Sequence, residues 1–319
     1  MDPLGRASEA VASKYAGVRV SVVIPCFRNA ATISRALDSV NAQTRTVNEI
    51  IVVNDASPES LEIEHVLTGY PDVVYVKNPV NVGPSASRNV GLSKASGDVI
   101  AFLDADDEYH PQKIAIQLML LTPESVVTCR TRRFAAPVPR GSLVVYDMPA
   151  PTRVVNRIGA QVVRNTLPGA ALMAHRGLLQ RFGGYDETLR AGEDFDLWLR
   201  LLHAGMVVNV VELPLYLYYV NDNGLSRNWL SISAWELEVL KRHALRTGHK
   251  GVADNWYWAT IWTWWLLKHL LRAEAVASRE LAAQAIKNAW LLESWPLHRA
   301  LISFVGQTRV FRLFALARS

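Results

Sequence analysis

The 319 residues are half apolar and one-fifth charged, which excludes a disordered or collagen-like chain and is enough for one large domain with an appendage, or for two of ordinary size. The formal charge of +5 is unevenly placed: from Trp229 onward twelve Lys/Arg stand against six Asp/Glu. Such a tail suits nucleic acid, acidic lipid, an anionic acceptor or simply solvent, and of these nucleic acid is not expected as a partner. Cys26 and Cys129 are too few and too far apart in sequence for a disulfide framework or a zinc site, so a reducing cytosol is the expected setting.

Residues 1–18 have no apolar core between a basic start and a small-residue cleavage site, so they read as a flexible extension and not as a secretion signal. From Val20 short β-branched runs alternate with helical patterns: VSVVIP, then AATISRALDSVNAQ, then EIIVVND, then a helix opened by Ser57-Pro58. DVVYVKN, a helix around SASRNVGLSKA and the run DVIAFL continue the rhythm. Four apolar strands separated by helices predict an α/β fold, Rossmann-like, with a mostly parallel sheet covered by helices on both faces. A helix is predicted between Pro111 and Leu121 with proline at its first position, followed by an irregular Pro-rich stretch, Pro137 to Pro151. ALMAHR then reads as a strand, GGYDE as a turn and GEDFDLWLRLLHAG as an amphipathic helix closed by Gly205, before two more strands, MVVNVVE and LYLYYV. After Arg227 the pattern is helical, which divides the chain into an extension (1–18), an α/β domain (19–228) and a helical, Trp-rich and basic region (229–319).

Ligands of open α/β sheets gather at the carboxyl ends of the strands. There the chain places Phe27 to Asn29, then Asn54 and Asp55, then Asp104 to Asp107. Asp104 and Asp106, two apart after an apolar strand, can converge, and hard oxygens of that kind suit Mg²⁺ or Mn²⁺. A solvated acidic turn is the plain alternative. Glu193 and Asp194 open a helix, which the helix dipole favours by itself; Asp194 is equally placed to be a general base. Asp55 is a nucleobase acceptor or a turn residue, Phe27 a stacking face or a core aromatic, and Arg88 a diphosphate fork or a salt bridge.

Taken together, SVVIPCFRN, IIVVNDAS, NVGPSASRNVGLSKASGDVIAFLDADD and GGYDETLRAGEDFDLWLR, in that order over residues 19 to 204, resemble the inverting family 2 glycosyltransferases of GT-A fold. The resemblance implies a nucleotide-diphosphate sugar donor, with UDP as the base carrier, and a glycan or lipid-linked acceptor. Pro25, Phe27, Asn29, Asp55, Arg88, Asp104 and Asp106 then line the nucleotide sugar, and Asp104 and Asp106 hold the divalent cation. Asp194 is implied as the base, with Glu193 orienting it or touching the acceptor. Two positions depart from the pattern. Phe27 stands where tyrosine is usual, which keeps stacking and loses a hydroxyl; Asn221 stands where many relatives carry histidine, which predicts weaker metal affinity or an intervening water. The processive QxxRW-type signature is absent, which implies one sugar per encounter, in surface polysaccharide or glycolipid assembly.

Competing classes fare worse: a dinucleotide oxidoreductase needs GxGxxG after the first strand, and a phosphatase nucleophile belongs on that strand too. A sugar-nucleotide-binding module without turnover is the alternative that Asn221 motivates. In the tail, Trp256, Trp258, Trp262, Trp264 and Trp265 are too many for one helix face, which predicts a helix buried on several sides. The uncharged run from Asn255 to Leu267 is thirteen residues, short of a bilayer span. LHRALISFVGQTRVFRLFALARS carries Arg299, Arg309, Arg312 and Arg318 among large apolar residues, a composition compatible with peripheral contact with the inner face of an anionic membrane.

Overall fold

The computed structural model describes residue 15 and residues 17–163, 165–220 and 229–247. The strands are β1 (Val20–Cys26), β2 (Glu49–Asn54), β3 (Val73–Lys77), β4 (Val99–Phe102), β5 (Glu108–Tyr109), β6 (Ser125–Phe134), β7 (Thr152–Val155), β8 (Met173–His175) and β9 (Val207–Tyr219). Among the described residues they form one sheet in the order β3-β2-β1-β4-β8-β6-β9-β5, with β7 added to β9. β3, β2, β1 and β4 run parallel. β8 is antiparallel to both β4 and β6, and β6 and β9 are again parallel.

The apolar runs explain why both faces are covered. In β1, Val22 and Ile24 join a core with Ile33 and Leu37 of the helix Ile33–Asn41 and Ile63 of the helix Ser60–Leu67. Val23, between them, joins a second core with Leu92 of the helix Pro84–Lys94 and Leu197, Trp198 and Leu201 of the helix Glu193–His203. A strand buried on both sides has no polar alternation to display.

Two predicted boundaries move. The helix expected from Pro111 begins at Lys113, because the Pro111 carbonyl accepts the Thr44 N–H at 2.8 Å and stays in the preceding turn. The two strands expected as MVVNVVE and LYLYYV are one, β9. Pro214, which has no N–H to donate, is accommodated where the β6 register shifts on either side of Arg130.

The chain divides into two compact units, residues 1–158 with 166–224, and 159–165 with 225–319. The helix Trp229–Arg246 belongs to the second. The tryptophan cluster, Asn221 and the terminal arginines lie outside the described residues. Among the described residues no helix is long and apolar enough to cross a membrane. Cys26 and Cys129 are both buried and free.

Lys113 is fully buried. Its ammonium donates to Gln117 Oε1 at 2.6 Å and lies 4.0 Å from the Tyr109 ring centroid. Burial pushes its pKa down to about 8, with Cys129 pulling the other way. An unfolded lysine titrates near ~10.4, so between those values the unfolded chain binds more protons and stability rises with pH. Burial also raises Cys129 to about 11 and Cys26 to about 12, and these oppose the gain once unfolded thiols ionise. The comparison with Lys113→Met isolates the lysine. The variant's stability relative to the natural chain is expected to fall by roughly 3 kcal/mol between neutral pH and about pH 10. Urea unfolding of both proteins across that range checks it; a difference independent of pH would refute it.

Candidate active site

β1, β2 and β4 are parallel, so their carboxyl ends share one edge of the sheet. Beyond β4 the chain turns, with the Asp107 N–H donating to the Asp104 carbonyl at 3.0 Å. A turn replaces the expected extended segment, yet the alternation survives: Asp104 and Asp106 are half-exposed, Ala105 and Asp107 buried. β9 braces the turn. The Asp104 N–H donates to Tyr216 Oη at 3.1 Å, and the Tyr219 N–H donates to Asp107 Oδ1 at 2.8 Å. Burial, then the charges of Asp104 and Asp106, push Asp107 up to about 8. Opposite, Arg35 donates to the Asp106 carbonyl and pairs with Glu108 at 3.0 Å.

Arg88, in the helix Pro84–Lys94, connects this corner to the second acidic pair. Its Nη2 donates to Asp104 Oδ1 at 2.7 Å and its Nη1 to Glu193 Oε1 at 2.9 Å. The residue is only 7% exposed, and its guanidinium lies 5.4 Å from the Tyr185 ring centroid. Burial works against the charge, but Asp104 and Glu193 outweigh it and hold the pKa well above the usual arginine value. Of the two roles expected for Arg88, the ion pair is the one the chain makes by itself: the fork holds two carboxylates.

Gly192, in the left-handed region at φ 75°, turns the chain into the helix Glu193–His203. The helix is locked by buried Trp198, whose Nε1 donates to the Leu167 carbonyl at 3.2 Å. Arg200 adds a second tie, pairing with buried Asp196 at 2.8 Å and donating to the carbonyls of Phe182 and Gly184. Asp194 sits against Gly169, where an added Cβ would meet Asp194 Cβ at 2.1 Å and Oδ2 at 2.6 Å. Gly169→Ala must therefore displace Asp194. The expected result is on the order of a hundredfold loss of turnover with nucleotide affinity retained, checked by steady-state kinetics beside calorimetric titration with UDP. Unchanged turnover would mean that the position of Asp194 does not matter.

On the other half of the edge, the Phe27 ring is 39% exposed at the end of β1, with the Arg28 guanidinium 5.4 Å from its centroid. Pro25 is paired with Val53 inside the sheet. Asn29 shapes the loop, its Oδ1 accepting the Phe27 N–H at 3.2 Å. Arg28 and Ala56, neither of them glycine, have φ of 57° and 51°. Both follow strand ends at this edge, and such backbone persists only where its surroundings enforce it; here Ser57 Oγ accepts the Arg28 N–H at 3.0 Å. Asp55 is buried. Its Oδ1 accepts from Asn78 Nδ2 and the Val82 N–H, and its Oδ2 from the Gly83 N–H at 2.8 Å. The carboxylate thus shapes the loop that leads into the Arg88 helix and keeps one acceptor position on Oδ2.

The structure brings Asp104, Asp106, Arg88, Glu193 and Asp194 to one corner, with Phe27, Asn29 and Asp55 farther along the same edge. The phenol of Tyr185 feels Arg88, Glu193, Asp194 and Asp104 together. Tyr185, Tyr216, Arg35 and Gly169 organise the corner without having been singled out from the sequence. Only Tyr185 carried a signal, as the aromatic of the Gly-Gly-Tyr-Asp turn.

This layered α/β domain has the GT-A fold of glycosyltransferases. S. aureus TarS 1–349, solved in complex with UDP-GlcNAc, matches with a TM-score of 0.55 at 17% identity, over 85% of this chain and 89% of that one. Residues 21–172 match the model of glycosyl transferase family 2, and the chain carries a domain of that family. A Rickettsia felis protein described as an uncharacterized glycosyltransferase is 28% identical over 192 residues, 59% of this chain and 32% of its own length. The pre-mycofactocin glycosyltransferase of Mycobacterium tuberculosis is 27% identical over 222 residues, 68% of this chain and 45% of its own. The chain thus spans less than half the length of these two relatives.

Proposed function

We propose that this chain transfers a single sugar, with inversion, from a nucleotide-diphosphate sugar to an acceptor hydroxyl, with Asp194 as the general base. The observation that carries the reading is the Arg88 fork, which ties Asp104 to Glu193 and so holds the base-bearing helix start against the acidic corner. UDP is the favoured nucleotide, supported by the fold shared with a protein solved with UDP-GlcNAc. Phe27 offers its exposed ring to the base and Asp55 its remaining acceptor position. Asp194 takes the proton of the acceptor hydroxyl as that oxygen attacks the anomeric carbon from the face opposite the departing diphosphate. Glu193, held by Arg88, fixes the helix start that carries the base.

The acidic turn fits a divalent cation. Asp104 and Asp106 are its half-exposed carboxylates, and burial together with their two charges pushes the neighbouring Asp107 upward. Among the described residues no set of three or more His, Cys, Asp or Glu is arranged as a metal site. Two carboxylates with diphosphate and water oxygens match the habit of Mg²⁺, which keeps several waters. When bound, the cation neutralises the charge of the leaving diphosphate. The setting we propose is surface polysaccharide or glycolipid assembly. Incubation with a panel of nucleotide sugars and Mn²⁺ or Mg²⁺, with released nucleoside diphosphate as readout, tests the reading. Metal-dependent release from a UDP-sugar is expected; UDP binding with no release from any donor would favour a binding module.

A further inference from the structure

Asn89 follows Arg88 in the helix Pro84–Lys94 and turns its side-chain amide to the Gly-Gly-Tyr-Asp turn. Its Oδ1 accepts the Tyr185 N–H at 2.9 Å, and its Nδ2 donates to the Tyr185 carbonyl at 2.8 Å and to Glu187 Oε1 at 2.9 Å. Taking both backbone bonds of one residue is what an opposite strand does in an antiparallel ladder. Asn89 therefore gives Tyr185 a strand partner in the form of one side chain. The orientation of the amide follows from the Tyr185 N–H, which can only donate.

So close an approach requires glycine at 184, where φ is 63° and an added Cβ would collide with Asn89 Oδ1. From the other side Arg200, in the base-bearing helix, donates to the Phe182 and Gly184 carbonyls. Both helices thus grip the turn. The helix that carries Asn89 is itself fixed: a Cβ added at Gly91 would collide with Val23 Cγ1, so this helix lies directly on β1. What the grip holds in place is the Tyr185 ring, which is 3% exposed and stands edge-on to Phe102 at 5.3 Å. The Arg88 guanidinium lies over that ring, 5.4 Å from its centroid. Arg88 Nε is buried and, among the described residues, has no hydrogen-bond partner; the attraction of a cation to the ring electrons offsets part of that loss.

Two consecutive residues of one helix therefore reach the two ends of the segment 185–193: Asn89 takes its start and Arg88 its end at Glu193. Resting on the transferase reading above, we propose that Asn89 is a positioning residue for the transfer. By seating the Tyr185 ring against the Arg88 guanidinium, it sets where the fork holds Glu193 and, with it, the neighbouring Asp194.

The test uses the full chain. Asn89→Ala removes all three hydrogen bonds, and Asn89→Asp keeps the size and the acceptor for the Tyr185 N–H while losing both donations. Each is expected to lower UDP release, with Mn²⁺ and the UDP-sugar that the natural chain turns over fastest, roughly tenfold to a hundredfold. The donor KM and the UDP affinity are expected to stay within about twofold, and retained UDP binding also reports that the variant has folded. A second readout needs no substrate: the Arg88 Nε–H signal in proton–nitrogen correlation spectra, identified by its absence from Arg88→Met. It is expected apart from the exposed arginines in the natural chain and displaced toward them in both variants. Turnover that is kept, or that falls only together with UDP affinity, would make Asn89 a residue of stability alone and overturn the proposal. An unmoved Arg88 signal overturns it too, because Asn89 would then not act through that fork. If the natural chain releases no nucleoside diphosphate from any donor, the transferase reading falls and the positioning role with it, whichever way the Arg88 signal moves.

Discussion

Asp194→Asn is expected to lower turnover by a factor on the order of 10²–10⁴, the usual worth of a positioned general base, while UDP affinity stays within about twofold. The substitution preserves size, so Asp194's packing against Gly169 is kept. The neighbouring carboxylate is a poor substitute, because Glu193 Oε1 is committed to Arg88 at 2.9 Å. Released nucleoside diphosphate measured beside a calorimetric UDP titration separates the two effects. Turnover that persists in the variant would remove Asp194 from the chemistry, and loss of UDP binding would show that it acts on the donor.

The second large effect is expected at Arg88. Arg88→Met keeps the unbranched apolar stem and removes the fork, leaving Asp104 and Glu193 to repel each other with no cation between them. Breaking a buried pair by removing one partner costs about 3–5 kcal/mol. The Asp104 side chain is 30% exposed and the Glu193 side chain 16%, so solvent screens part of the penalty and about 3 kcal/mol is the expected loss in urea unfolding. Turnover should fall as well, since the helix start carrying Asp194 loses its tie to the acidic turn. Adding Glu193→Gln to Arg88→Met is expected to restore part of the stability and none of the turnover, the coupling expected of residues in one network. A stability change under about 0.5 kcal/mol in the single variant would mean that water screens both pairs.

The elements were largely legible because their signals are local. Runs such as VSVVIP and DVIAFL are too apolar for any place but a sheet buried on both faces, and β1 and β4 lie at its centre. The acidic pair before LWLRLLH marks a helix start, and the helix begins at Glu193. Pro111 does not start the helix expected there, and Pro214 does not separate the two strands expected around it, for the same reason. A proline limits its own backbone, but whether it starts a helix, closes a strand or sits at a bulge depends on which distant group takes the neighbouring hydrogen bonds. For Pro111 that group is Thr44; for Pro214 it is the slipped register of β6.

The site divides along the same line. Residue types, short spacings and strand ends place acids at 104, 106, 193 and 194 and an arginine at 88, and these follow from the chain by itself. That Arg88 joins acids 16 and 105 residues away, that Gly169 leaves room for Asp194, and that Tyr219 stands between Arg35 and Phe134 of β6 were decided by tertiary structure. Each depends on β8 entering beside β4 and on β9 running beside β6. Pairings of that kind close long loops for a reward spread over many residues, so no short stretch of sequence encodes them.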